Sequence, residues 1–221
     1  MGPNPLKLEE ELMQDNKIKK GSIVMDLGSG QGITSIFLAK EYGFKKVYAV
    51  DLWSNPEENR EFFTQMGLTD KQIVPVKADA TDLKFEKEFF DAVVSTDSYN
   101  YFGRDEKYLD EKLLPFVKNG GYIYIVVPGM KKDCHSDIPK ELLLSWTPEQ
   151  LDYIHDIEYW RNIVSKSKNS EIISIYEMES NEECWNDWIQ CDNEYSRSDR
   201  KAIEAGACKY LNFIAIVLKK K

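Results

Sequence analysis

From residue 22 onward, short runs dense in Val, Ile and aromatic residues alternate with longer stretches whose apolar positions recur every three or four residues. The runs 22–27, 47–52, 73–78, 90–95 and 122–127 are bounded by Gly, Asp or Pro, and near-continuous apolar character over so few residues is what a strand covered on both faces requires. Between them, the stretch 33–42 is apolar at 33, 36, 37 and 38, a helical spacing. Asn55-Pro56-Glu57-Glu58 puts a side-chain acceptor at the N-cap, Pro at the first helical position and Glu at the third, satisfying or removing the unpaired N–H groups of a helix start. Strand and helix in alternation predict a parallel sheet with helices on both faces, because parallel neighbours need a crossover.

The rhythm changes after Val127. Thr147-Pro148-Glu149-Gln150 predicts a second capped helix start, leading into a segment with Tyr153, Tyr159 and Trp160, and 171–178 reads as a strand. Ser180-Asn181-Glu182-Glu183 predicts a further cap, for a helix carrying Trp185, Trp188 and Ile189, and a final strand spans 210–218 before Lys219-Lys220-Lys221. Trp185 and Trp188 are three apart and share a helix face. Four of the five Trp lie at or after position 146; they serve either as core on a sheet edge or as a substrate-facing lid. The reading is one domain over 1–221, with a helical segment at 1–20 and lid segments at 129–170 and 179–208.

Composition narrows the function. With 29 Lys and Arg against 38 Asp and Glu, the net charge is −9, and an acidic chain repels the phosphate backbone that a nucleic-acid binder must neutralise. Hydrophobic residues at 42% and aromatics at 12% supply a core and exclude a disordered chain. The longest apolar runs, 123–127 and 213–218, are about a third of the length that crosses ~30 Å of hydrocarbon. No secretion signal is legible at the N-terminus. Cys134, Cys184, Cys191 and Cys208 form no CxxC pair, which reads as reduced thiols in a cytoplasmic protein without a metal site. Oligomeric state is not legible.

The chemistry concentrates in Asp26-Leu27-Gly28-Ser29-Gly30-Gln31-Gly32, where the first strand turns into its helix. Glycines there let the chain turn tightly and let a ligand approach the backbone at a helix N-terminus. Asp51 stands 25 positions after Asp26 at the end of the second strand, where a carboxylate can accept from both hydroxyls of a ribose. The sixth position of the dinucleotide fingerprint is Ile33, a side chain that obstructs the close helix packing of nicotinamide-binding loops, so NAD is disfavoured.

At these residues the sequence resembles the class I S-adenosylmethionine-dependent methyltransferases, over positions 20 to 128. DLGSGQG is similar to their first motif, Asp51 to the ribose acid, Ala78-Asp79-Ala80 to the adenine loop, and Phe90-Asp91-Ala92-Val93-Val94-Ser95 to the fourth-strand motif. Within the family it looks nearest to bacterial small-molecule enzymes close to quinone C-methyltransferases and cyclopropane-fatty-acid synthases. The resemblance implies a doubly wound, mostly parallel seven-stranded sheet with an antiparallel last strand, and S-adenosylmethionine as cofactor. It also implies that Gly28, Ser29, Gly30 and Gly32 shape the methionine pocket, and that Asp26 approaches the amino-acid end. Leu52 and Trp53 would flank the adenine, Asp79 with Ala80 would hold its edge, and Ser95 would close the pocket at the fourth strand.

Acceptor residues are expected beyond the fourth strand, where ligands collect in parallel sheets. Asp97 or Tyr99 could take a proton, and Tyr99 or Tyr101 could face the sulfonium through a cation–π contact of ~0.5 to 2 kcal/mol; the alternative for each aromatic is packing against the next helix. Trp185 and Trp188 are further candidates for the acceptor wall. His155 is either a general base or a solvated helix histidine. Methyl transfer to a small, neutral or cationic acceptor is the leading expectation, beside cyclopropane-type lipid modification and a non-catalytic sensor or scaffold that binds the cofactor.

Overall fold

The computed structural model describes residues 2–221. Seven strands form one sheet: β1 (Ile23–Leu27), β2 (Lys46–Asp51), β3 (Ile73–Lys77), β4 (Phe90–Thr96), β5 (Val117–Met130), β6 (Ser170–Glu177) and β7 (Leu211–Lys220). Their order is β3-β2-β1-β4-β5-β7-β6. The strands from β3 to β5 pair in parallel, while β7 lies antiparallel to both β5 and β6. The order in which strands are added to the sheet reverses between β1 and β4, so the crevice beyond the C-terminal ends of these two parallel strands is the topological switch point where open α/β sheets bind ligands.

Helices α1 (Pro5–Leu12), α2 (Ile33–Glu41), α3 (Pro56–Gln65), α4 (Pro148–Leu151), α5 (Ile157–Ser165), α6 (Asn181–Gln190) and α7 (Glu194–Glu204) cover the faces. The side-chain period of two sends alternate residues of β4 into different cores. Ala92 and Val94 join Ile36, Phe63, Trp185 and Phe213, whereas Val93 joins Leu27, Ile125, Tyr99 and Trp160. Both sides of the central strands are therefore apolar, as their sequence required.

Asn55 caps α3 through its side chain, which accepts from the Glu57 N–H at 2.9 Å, with Pro56 at the first turn. Thr147 and Gln150 form the reciprocal capping box of α4, but that helix stops at Leu151. A new helix begins after Asp156, whose carboxylate accepts from Tyr159 N–H at 2.9 Å. The long helix expected after Thr147 is thus two helices, and His155 sits in the connection between them rather than on a helix. Ser180 occupies the N-cap of α6 without a side-chain cap bond, a second departure from expectation. Asn4 caps α1 by accepting from Lys7 N–H at 3.1 Å, and its amide donates to Asp187 of α6 at 2.7 Å. The start of the chain is thereby tied to the last helical pair.

Candidate cofactor and acceptor site

The turn leaving β1 is built by three glycines with left-handed backbone, at φ 81° for Gly28, 53° for Gly30 and 82° for Gly32. Each has its own reason. A Cβ on Gly28 would lie 2.2 Å from Ser98 Oγ, and one on Gly32 would lie 2.5 Å from the Phe63 ring, but one on Gly30 would meet nothing within 4 Å. Two glycines therefore allow packing behind the loop, and the middle one leaves open space in front of it.

Asp51 organises this loop. Its Oδ2 accepts from Gly30 N–H at 3.0 Å, and its Oδ1 accepts from Trp53 N–H at 2.8 Å and Ser54 N–H at 2.7 Å. A carboxylate offers about four lone-pair sites, so acceptor capacity is left toward the crevice. Asn59 of α3 donates to the Gly30 carbonyl at 2.9 Å and fixes the loop from the other side.

In front of the loop lies a cavity of about 430 Å³, lined among others by Gly28, Ser29, Gly30, Thr96, Asp97 and Trp188. The first half of the chain supplies its floor. Its far wall comes from Gly2 to Leu6 and from α6 with the residue after it, Cys191. No residue between 129 and 170 lines it, so of the two expected lid segments only 179–208 contributes to the wall. Trp188 is held there by its indole N–H, which donates to Asp199 at 2.8 Å.

Several expected site residues sit elsewhere. Asp26 is 1% exposed and accepts from Thr34 Oγ1 at 2.7 Å and Ser35 Oγ at 2.5 Å; it anchors the start of α2 from behind the loop instead of facing the cavity. Burial pushes its carboxyl up to about 6, against the two hydroxyl bonds. Ser95 is fully buried and donates to the Leu27 carbonyl at 2.8 Å, bracing β4 against β1. Tyr99 is 1% exposed and packed among Phe102, Tyr108 and Trp160. Packing against the neighbouring elements, the alternative given above, is what it does. It cannot face a sulfonium in the crevice, and burial moves its hydroxyl further from ionisation. Trp185 stacks on Phe213 and meets Trp146 edge-on, so it belongs to the core.

The residues expected around the adenine are more open. Asp79 is exposed and accepts from the N–H and hydroxyl of Thr81, both at 2.7 Å, which hold its carboxyl below the usual range. Ala80 offers its carbonyl to Tyr108 at 3.0 Å. Leu52 and Trp53, just past the end of β2, stand out at 38% and 87% exposure, apolar surface that a flat ring would cover. Tyr101 is 67% exposed and lies against Tyr153.

His155 is half-buried, stacked on the Tyr159 ring at 3.6 Å between centroids, and its Nε2 has no partner. Burial lowers its pKa to about 4, helped by the charges of His135 and Arg104. It is neither of the two things expected of it, being too far from neutrality for a base and not solvated. A histidine near 6.5 when unfolded and near 4 when folded binds more protons unfolded, so its contribution to stability is present above 6.5 and lost as pH falls through that window. His155→Phe keeps the stack and removes the titration. The variant's melting temperature relative to the natural chain should therefore rise as pH is lowered from 7 to about 4.5, read by parallel thermal melts.

Trp188 lies in the wall, where the sequence placed it, whereas Asp187 and the tie to it from Asn4 were not anticipated. Thr96 lies in the segment expected beyond the fourth strand but was not singled out there, because a buried hydroxyl at a strand end has no motif.

A doubly wound sheet in this order, with a glycine loop, a second-strand aspartate and a cavity at the switch point, defines a class I S-adenosylmethionine-dependent methyltransferase domain. Residues 24–121 match the family model described as methyltransferase domain. A probable protein arginine N-methyltransferase 6 of Arabidopsis thaliana is 30% identical over 70% of this chain and 32% of its own length. A sarcosine/dimethylglycine N-methyltransferase of Aphanothece halophytica is 28% identical over 68% of this chain and 54% of its own. The chain thus spans from about a third to just over half of these curated relatives. The crystal structure of geranyl diphosphate C-methyltransferase from Streptomyces coelicolor A3(2), in complex with Mg2+, geranyl diphosphate and S-adenosyl-L-homocysteine, superposes with a TM-score of 0.74 at 15% identity. It covers 97% of this chain and 79% of that one, a likeness of fold. Among the described residues no helix is long and apolar enough to cross a membrane, and no cluster of metal-ligating side chains is present.

Proposed function

We propose that this chain transfers a methyl group from S-adenosylmethionine to a small-molecule acceptor. The observation that carries the reading is the continuity of the cavity, which runs from the open face of Gly30 to Asp97 and Trp188. One side suits the cofactor and the other leaves room for an acceptor. Gly28, Ser29, Gly30 and Gly32 would take the methionine part, with Ser29 Oγ, buried and without a partner, as a free hydrogen-bonding group. Asp51 would hold the ribose, and Leu52, Trp53, Asp79 and Ala80 would surround the adenine.

The bound cofactor supplies an already activated methyl group, so the protein's task is positioning and exclusion of water. Trp188, fixed by Asp199, offers a rigid apolar wall for that purpose, and Asp97 is the one titratable group at the strand end that reaches the cavity. The relatives' names cover guanidinium, amino-acid and isoprenoid acceptors, and this reading is coarser than any of them. Four cysteines, none of them paired, support a reducing compartment such as the cytoplasm.

A thermal-shift comparison tests the reading. A ligand at 100 times its dissociation constant adds about 2.7 kcal/mol to the native state. S-adenosylmethionine and S-adenosylhomocysteine should raise the melting temperature and NAD should not. A shift with NAD alone would overturn the assignment.

A further inference from the structure

Gly2, Asn4, Pro5 and Leu6 line the cavity together with Gly28, Ser29 and Gly30. The methionine end of a cofactor held as assigned above therefore lies between the glycine loop and this opening segment. The sequence makes the segment stiff. Pro3 and Pro5 fix their own φ, and each keeps the residue before it out of the helical region. Gly2-Pro3-Asn4-Pro5 runs as a strap from the end of β4 to α6, with Pro3 buried.

Asn4 fastens the strap. Its N–H donates to the Cys184 carbonyl at 3.3 Å, and its side-chain amide donates to Asp187 Oδ2 at 2.7 Å, both on α6. The other side of the same amide, Oδ1, accepts from Lys7 N–H at 3.1 Å and caps α1. At the far end, Gly2 lies against Asp97 so closely that a Cβ there would collide with Oδ2. The bond to Asp187 is exposed to solvent, whereas α1 itself is pinned in the core by Leu8 and Leu12. Pro5, the first residue of α1, is thus the pivot. Lifting the strap about it gives up the two bonds to α6 and the cap, and leaves the core untouched.

We propose that Asn4 is a positioning residue: its amide latches the strap to α6 over the cavity, and the cofactor enters and leaves when that latch opens. This rests on the methyltransferase reading and adds to it the step that admits the cofactor. A ligand that waits for an opening exchanges at a rate set by how often the open form is populated. Weakening the latch should therefore speed association and dissociation together, and restoring it should slow both. A tie that only stabilises the fold would move neither.

The experiment uses the whole chain and S-adenosylhomocysteine. Calorimetry on the natural chain comes first, and absence of binding there is the failure of the methyltransferase reading itself. Stopped-flow tryptophan fluorescence, with Trp188 in the cavity wall as the reporter, then measures the two exchange rates. Asn4→Asp keeps the side-chain size and the cap on α1, since aspartate caps a helix as well as asparagine does, but it sets a second carboxylate against Asp187. Adding Asp187→Asn restores the hydrogen bond with donor and acceptor exchanged, at the natural net charge. Asn4→Asp should speed association and dissociation by about tenfold each, and the Asn4→Asp/Asp187→Asn double variant should return both to within about twofold of the natural chain. Asp187→Ala, which removes the acceptor without adding a charge, should move both rates in the same direction as Asn4→Asp. Unchanged rates in Asn4→Asp, or a double variant that exchanges as fast as the single one, overturn the proposal. Parallel thermal melts separate the structural alternative, in which Asn4→Asp lowers the melting temperature and leaves the exchange rates where they were.

Discussion

Asp51→Ala should weaken S-adenosylhomocysteine binding by at least about a hundredfold in calorimetry, with the fold intact. The expectation has two parts. On the proposed assignment the variant removes a charged acceptor for a ribose hydroxyl, the one site its three N–H bonds leave free, a bond contributing ~1.5 to 3 kcal/mol. It also releases the N–H groups of Gly30, Trp53 and Ser54, which the same carboxylate now gathers. The loop would then have to be ordered by the ligand, at the ligand's expense. Asp51→Asn separates the contributions, because an amide retains one acceptor oxygen for the loop but loses the charge and replaces the second acceptor with a donor. Affinity for that variant should fall between the other two. An unchanged affinity in Asp51→Ala would remove Asp51 from the site.

The second large effect is expected from the glycine loop, where two substitutions of the same kind should fail differently. Gly28→Ala puts a methyl group 2.2 Å from Ser98 Oγ and 2.4 Å from its Cβ, at φ 81°. Ser98 cannot yield freely, since its hydroxyl donates to the Leu27 carbonyl at 2.9 Å and lies 2.9 Å from Ser95 Oγ. Backbone strain of ~1 to 2 kcal/mol and overpacking of ~1 to 3 kcal/mol then add, and both stability and cofactor affinity should collapse. Gly30→Ala meets no neighbour within 4 Å. It should cost stability only the strain of its φ, about 1 kcal/mol, yet still lose the cofactor because its methyl group projects into the cavity. Denaturant melts and calorimetry on the pair read the two outcomes; a Gly30→Ala protein that binds normally would mean that the ligand approaches the loop elsewhere.

The cofactor half was readable because its constraints are local. Strands covered on both faces must be apolar throughout, the turn after Leu27 needs left-handed residues, and Asn55-Pro56 can hardly be anything but a helix start. The acceptor half was readable only as composition. Tyr99 and Trp185 looked like site residues because large aromatics suit both a ligand wall and a core. The choice between those roles depends on which side of the sheet each reaches, a fact fixed by neighbours such as Trp160 and Phe213 that are distant in sequence. Asp26 carries the motif's first acid, yet the hydroxyls of Thr34 and Ser35 turned it inward, and their effect is invisible until the helix is folded. His155 was misplaced by a single helix end, since nothing in the sequence after Gln150 shows that α4 lasts only one turn.

The bond from Asn4 to Asp187 spans 183 positions of chain, and the wall it closes is made of pieces that share no stretch of sequence with the glycine loop. The two halves of the cavity are therefore free to change at different rates. Substitutions at Asn4, Pro5 or Leu6 or in the last turn of α6 should alter that wall while leaving the glycine loop and its bond to Asp51 in place. The stretch that matches the family model ends at residue 121, inside β5 and well before α6.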